Sequence, residues 1–341
     1  MSIGWAIVST GRHPDTKMAP AIAAARDAHV AAAVSRDAGR ARAFTDKHGG
    51  TPYTDLTAAL ADPAVDAVYI ASPNFLHRQH TEAAAAAGKH VLVEKPIATT
   101  VADAEAMVAA SAQAGVHLGV GFHLRTHPGH VRLRALVAEG ALGTVSLAEA
   151  NWGRGTVGQV KPPPRAALQA WWDDPAKVGA GAFMATGVHC ADLLRFVLDD
   201  EVSEVSALID ATEAAPLEEL VALTLRFRSG ALATVMTGRR TPGYPHNDLA
   251  VYGSGGAARM AGSIEMSRQG TLSVQTQAVQ EQMDYGPPDG LEPYTLQVEA
   301  FCAAMRGEGR PAATGEDGLA AARITEAMVR SARTGQRVRL D

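Results

Sequence analysis

The first 122 residues alternate between short apolar runs and helical stretches, and this alternation limits the possible folds more than any other feature. Runs of strand type occupy residues 5–8, 30–34, 67–70, 90–93 and 116–119, with a minor one near Tyr53. Helical stretches fall between them at 17–26 and 37–48, in a short segment ending at Leu60, and in two further segments that stop at Gly88 and Gly115. Glycine just beyond a helix end takes up the left-handed cap at no steric cost. Strands that are apolar throughout belong to sheets buried on both faces, and such sheets are parallel and bind ligands at their carboxyl ends. Residues 1–122 therefore read as a doubly wound α/β domain.

At 341 residues the chain exceeds what one core usually organises, so a second domain is expected over 123–341. A helix at 130–139 leads there into a strand-like run at 144–152, and a second helix spans 186–198. Strands then cluster at 202–209, 220–227, 231–237, 249–252 and 272–279, with helices at 294–306 and 316–331 closing the chain. Grouped strands indicate an α+β domain with a largely antiparallel sheet. The irregular stretch 153–181 is long for a connection and reads as a functional lid.

Composition narrows the function. Thirty-one basic residues against 36 acidic ones give a net charge of −5, which provides no electrostatic footprint for nucleic acid. No secretory signal or lipidation box is present, so a cytoplasmic protein without a membrane role is expected. The two cysteines, Cys190 and Cys302, offer neither a disulfide framework nor metal-ligand spacing, and no metal is expected.

Ser9, Thr10, Gly11, Arg12 and His13 follow the first strand, where a dinucleotide fold turns tightly so that backbone N–H groups meet the pyrophosphate. Only one of the usual three glycines is present, with Ser9 and Pro14 in the other two places. The second strand ends in Val34-Ser35-Arg36, with Arg40 one turn later. An NAD-selective site has an acid there; a hydroxyl and two guanidinium groups suit a 2′-phosphate, so NADP is favoured over NAD. The alternative is that Arg36 and Arg40 form a solvated face with Asp37 and Asp46.

Two further segments lie at strand ends: Ala71-Ser72-Pro73-Asn74-Phe75-Leu76-His77 and Glu94-Lys95-Pro96. A partly desolvated lysine beside a cofactor can exchange a proton near neutral pH, whereas on the surface it would simply pair with Glu94. With these segments on the page, the sequence resembles the Gfo/Idh/MocA oxidoreductases (glucose–fructose oxidoreductase, inositol dehydrogenase, rhizopine catabolism). The resemblance extends through Arg125, Pro128, residues 179–189 and Pro293-Tyr294…Gln297…Phe301.

It implies a Rossmann domain followed by an α+β domain with a large, open, mostly antiparallel sheet, often used to form homodimers or homotetramers. It also implies reversible hydride transfer between nicotinamide and a secondary alcohol of a sugar, cyclitol or polyol. Lys95 would handle the proton. Pro73 and Pro96 would shape the nicotinamide pocket, with Ala71, Ser72, Asn74, His77, Glu94, Lys95 and Arg125 as further cofactor contacts. Arg125 could equally form an ion pair.

One position departs from the family: Ala185 stands where an aspartate normally lies four residues before His189. His189 is still expected to be catalytic, with Lys95 carrying more of the proton transfer. Thr186, His123 or Asp173 could compensate. Substrate contacts are expected from Lys95, His123, Trp152, Trp172, Thr186 and His189. The altered acid/base set leaves open a sugar lyase or glycosidase that oxidises its substrate transiently. A silent NADP(H) sensor is the third alternative, and the intact Glu94-Lys95-Pro96 argues against it.

Overall fold

Six consecutive residues, Ile3–Val8, are buried without alternation, and they form β1 at the centre of a six-stranded sheet. The structure is a computed structural model describing residues 2–155, 167–241, 247–278 and 280–340. Around β1 lie β2 (Ala28–Val34), β3 (Thr51–Tyr53), β4 (Ala67–Ile70), β5 (His90–Val93) and β6 (Leu118–Val120). Their spatial order is β3-β2-β1-β4-β5-β6 and every pair is parallel. That order reverses between β1 and β4, so the loops after those strands flank the switch point where dinucleotides bind.

The chain divides into two units, but not at residue 122. The first is Met1–Thr126 together with Gly290–Ala320; the second is His127–Asp289 with Ala321–Asp341. The reason lies in the helix Glu292–Met305, which sends Tyr294, Val298, Phe301 and Cys302 into the core with Trp5, Met18 and Ile22. Trp5 and Phe301 meet at 5.4 Å between ring centroids. The following turn extends the sheet edge, with Val120 N–H donating to the Ala313 carbonyl at 3.0 Å.

The second unit holds nine strands: β7 (Val145–Gly153), β8 (Val202–Ile209), β9 (Leu220–Phe227), β10 (Leu232–Gly238), β11 (Leu249–Gly253), β12 (Gly256–Ala261), β13 (Thr271–Thr276), β14 (Gln280–Asp284) and β15 (Val338–Arg339). Their order is β14-β13-β12-β11-β7-β10-β9-β8-β15. Among the described residues β7 and β10 pair in parallel and all other neighbours are antiparallel. In β9, Val221, Leu223, Leu225 and Phe227 are buried while Ala222, Thr224 and Arg226 face out, the period of a sheet covered on one side.

The segment Pro175–Leu198 is apolar and long enough to cross a membrane, yet 83% of its window is buried in the protein. It is a core segment. Of the stretch 153–181 expected as a lid, residues 156–166 lie outside the described residues, and the rest includes the helical segments Ala167–Asp173 and Pro175–Val178.

Candidate active site

In the first unit the centre of the site is Glu94, one residue past β5. Tyr69, in β4, donates its hydroxyl to Glu94 Oε1 at 2.6 Å, and His13 Nε2 lies 3.3 Å from the same oxygen. The Lys95 N–H donates to Oε2 at 3.2 Å. Burial alone would raise the Glu94 pKa, but His13, the Lys95 charge and the Tyr69 hydroxyl outweigh it and hold it at about 2. The same burial, reinforced by Glu94, pushes the Tyr69 pKa well above its ordinary value. Glu94 is therefore a fixed anion. Gly121 is required beside it, because a Cβ there would lie 2.7 Å from Oε1.

His77 connects the two strand-end segments. It is fully buried, with Nε2 2.9 Å from the Ser72 carbonyl and Nδ1 3.0 and 3.2 Å from the carbonyls of Pro96 and Ile97. Burial lowers its pKa. His77 thus ties the two strand-end loops to each other through their carbonyls. Ser72 also faces His80, Oγ to Nδ1 at 2.9 Å.

The dinucleotide loop has its own signature. Ser9 has φ +86°, in the left-handed region that favours glycine, so it occupies the first glycine's conformation as well as its place. A Cβ built on Gly11 meets only Ser9 Oγ, at 3.9 Å, and the rest of that space is open. Beside the loop, the His13 ring meets Tyr294 edge-on at 5.5 Å, and Tyr294 stacks on buried His123 at 4.5 Å.

At the end of β2, Ser35 is buried and Arg36 and Arg40 are exposed. The neighbouring acid, Asp37, caps the helix Ala38–His48 by accepting from Arg40 N–H at 2.8 Å. Arg125 makes the ion pair that its sequence position left open. Its guanidinium binds both carboxylate oxygens of Asp317 at 2.9 Å and the Ala312 carbonyl at 3.3 Å, joining the two stretches of the first unit.

In the second unit His189 is buried and its ring lies 5.1 Å from that of Trp152, which is itself fully buried. The Arg154 guanidinium covers Trp152 at 4.9 Å. Thr186 Oγ1 lies 2.5 Å from Thr237 Oγ1 and 3.1 Å from the Ala182 carbonyl oxygen, and Thr237 Oγ1 lies 3.0 Å from the Trp152 carbonyl oxygen, so the two hydroxyl protons serve two of these three contacts. The structure so joins three expected residues, Trp152, Thr186 and His189, through Thr237, which the sequence did not single out. Trp172 is half-buried and stacked on Trp171 at 4.7 Å. Tyr69 was also missed; its position two residues before Ala71 in an all-apolar strand was the available signal.

The model of the oxidoreductase family with an NAD-binding Rossmann fold (Gfo/Idh/MocA) matches residues 3–122, and the model of that family's C-terminal domain matches residues 130–259. The chain belongs to the Gfo/Idh/MocA oxidoreductases. It is 34% identical to 1,5-anhydro-D-fructose reductase of Ensifer adhaerens, over 92% of this chain and 91% of the relative. It is 31% identical to D-xylose 1-dehydrogenase (NADP(+)) 2 of Haloferax volcanii, over 94% and 95% respectively. The crystal structure of aldose-aldose oxidoreductase from Caulobacter crescentus, complexed with glycerol, superposes with a TM-score of 0.88 at 28% identity, covering all of both chains.

As a Gfo/Idh/MocA enzyme the protein is an NAD(P)-dependent oxidoreductase, and its first unit fits such a cofactor. The open space over Gly11 is a cradle that a side chain would fill, and the buried Asn74 Nδ2 has no partner among the described residues. Substituting Gly11→Ala should leave thermal stability unchanged, since nothing in the protein opposes the new methyl group. It should weaken dinucleotide binding by about tenfold or more, because the backbone could no longer approach the pyrophosphate. Titration of both proteins by nicotinamide fluorescence measures this; equal affinities would contradict the cradle.

Proposed function

We propose that the enzyme interconverts a secondary alcohol and a ketone on a sugar, cyclitol or related polyol, with Lys95 handling the proton. The observation that carries this is the ionised, fully anchored Glu94 adjoining Lys95. A bound nicotinamide dinucleotide supplies two-electron chemistry at its ring. Lys95 Nζ bonds the substrate oxygen, takes its proton in oxidation and returns it in reduction. The ammonium charge stabilises a developing alkoxide, and Glu94 keeps the lysine oriented. His189, braced by Trp152 and the Thr186–Thr237 pair, is the second unit's catalytic residue in this reading. Pro73 and Pro96 bound the ring pocket. The named sugar reductase and xylose dehydrogenase among the relatives support the substrate class.

NADP is the preferred cofactor in this reading. Ser35 presents no charge to a 2′-phosphate, Asp37 is used in capping, and Arg36 and Arg40 are exposed beside it. The outer face of the second unit's sheet is proposed as the homodimer or homotetramer interface. Two cross-strand apolar rows run over it, Leu208–Ala222–Met236 and Leu232–Leu147–Tyr252. Leu208 is 77% exposed, which suits a face that a second copy covers.

A second reading is favoured by Ala185: with the usual acid missing, the enzyme recycles its cofactor within one turnover. An aldose-aldose oxidoreductase among similar structures supports it. The test is a panel of sugars, inositols and sugar acids against NAD+ and NADP+, followed by reduced-nicotinamide absorbance. Net reduction with NADP+ is expected; product without absorbance change points to recycling, and inactivity with every substrate overturns the sugar reading. Ser35→Asp should reverse the cofactor preference by about ten- to a hundredfold, because it sets a carboxylate against the phosphate. A strong preference of the unaltered enzyme for NAD+ would contradict the role given to Ser35.

A further inference from the structure

The turn that leads into the helix Val188–Leu198 has no cap of its own. The residues ahead of it are Gly179-Ala180-Gly181-Ala182, none with a side chain able to accept from a helix N–H. A single residue 35 to 37 positions later satisfies three successive amides. Gly181 N–H donates to Glu218 Oε2 at 2.7 Å, Phe183 N–H to Glu218 Oε1 at 3.0 Å, and Ala182 N–H to the Glu218 carbonyl at 2.8 Å. Glu218 is 1% exposed. The approach is close enough to require glycine, since a Cβ on Gly181 would lie 2.2 Å from the Glu218 carbonyl oxygen.

Glu218 is itself held in place. The next two amides, of Glu219 and Leu220, donate to Asp210 Oδ1 at 2.8 and 2.9 Å, and Asp210 pairs with Arg240. On the other side, the Ala182 carbonyl oxygen lies 3.1 Å from Thr186 Oγ1, so the capped turn adjoins the Thr186–Thr237–Trp152 group that backs His189. Residues Phe183–Gly187 form one wide π-type turn, a local geometry that needs outside support and recurs at functional sites.

We propose that Glu218 is a positioning residue for His189: its carboxylate fixes the turn from which Thr186 and His189 project. This rests on the catalytic role of His189 put forward above. Burial raises the Glu218 pKa, while the amides of Gly181 and Phe183 pull it down.

The test compares Glu218→Ala, Glu218→Gln and His189→Asn in the full-length enzyme. Glu218→Ala should lower kcat by about tenfold or more, as expected when a reacting group is displaced by a fraction of an ångström. The dinucleotide Kd should stay within about twofold, because the first unit is untouched. Glu218→Gln keeps one acceptor and should recover part of kcat. The imidazole NMR resonance of His189, assigned by its loss in His189→Asn, should shift in both Glu218 variants without cofactor present. If His189→Asn is inactive while both Glu218 variants keep full kcat, the inference fails and the role of His189 stands. If His189→Asn is fully active, that role fails, and an unshifted imidazole resonance then overturns the inference as well. Should Glu218→Ala not fold, Glu218→Gln decides: a lowered Tm with unchanged kcat and resonance is a purely structural role and refutes the proposal.

Discussion

Replacing Lys95 with alanine is expected to lower kcat by about three orders of magnitude, the usual worth of a positioned proton donor that also stabilises an alkoxide. The dinucleotide Kd should change by no more than about twofold, since the loop from Ser9 to His13 does not depend on the lysine side chain. The size of the effect follows from the surroundings of Glu94. Its carboxylate is partly buried and ionised, fixed by Tyr69 and by the Lys95 amide, so the lysine adjoins a charge held in place. A Lys95→Arg variant sharpens the point. Arginine keeps the charge but does not release a proton at accessible pH, so its kcat should stay close to that of the alanine variant. Single-turnover measurement of nicotinamide absorbance, with the Kd by fluorescence, separates chemistry from binding. A Lys95→Ala enzyme within tenfold of the parent would remove this lysine from the proton path.

Acid should destabilise the protein from about pH 6.5 downward, well above the range where carboxylates titrate. His127 is the main cause. Its Nδ1 accepts from Gly129 N–H at 3.0 Å as the cap of the helix Pro128–Ala138, and its Nε2 faces the Gln269 carbonyl at 3.0 Å. Burial lowers its pKa to about 4, against the opposing pull of the Gln269 carbonyl and with help from the Arg268 charge. The unfolded chain therefore binds a proton at His127 before the folded one does. Its stabilising contribution is complete above pH 6.5, falls as pH drops, and is lost by about pH 4; the difference amounts to about 3 kcal/mol.

His80, lowered to about 4 by burial and by His77, adds to the same trend, discounted because it is partly exposed. Thermal unfolding between pH 8 and 4 measures the effect. Asparagine caps a helix without titrating, so His127→Asn should flatten the profile between pH 6.5 and 5. A variant profile as steep as the parent's would sink the assignment.

The parallel sheet was readable because its strands are continuous apolar runs: β4 and β5 fall where the sequence places them. The strands not read from the sequence include the two-residue β15 and, more tellingly, β12 and β14, with sequences Gly-Ala-Ala-Arg-Met-Ala and Gln-Glu-Gln-Met-Asp. Neither carries β-branched residues, and both owe their conformation to their neighbours in the sheet. The site divides in the same way. Glu94-Lys95-Pro96 is contiguous and visible. Tyr69 and Glu218 act on groups 25 and 35 to 37 residues away, and no local pattern announces such pairs. Arg125 was ambiguous for the same reason, since Asp317, which binds it, lies 192 positions downstream.

The two-part construction of the first unit sets the order in which the protein can be made. Translation proceeds from the amino terminus, and domains fold as their chain is released. The six parallel strands are complete by Val120, yet the aromatic and aliphatic side chains that cover Trp5, Met18 and Ile22 arrive only with Glu292–Met305. The dinucleotide-binding half therefore begins first and finishes after the whole of β7–β14 has been synthesised. A fragment ending at Thr126 would present that apolar face to solvent, so a stable nucleotide-binding piece must carry residues 290–320 joined back to its amino-terminal part.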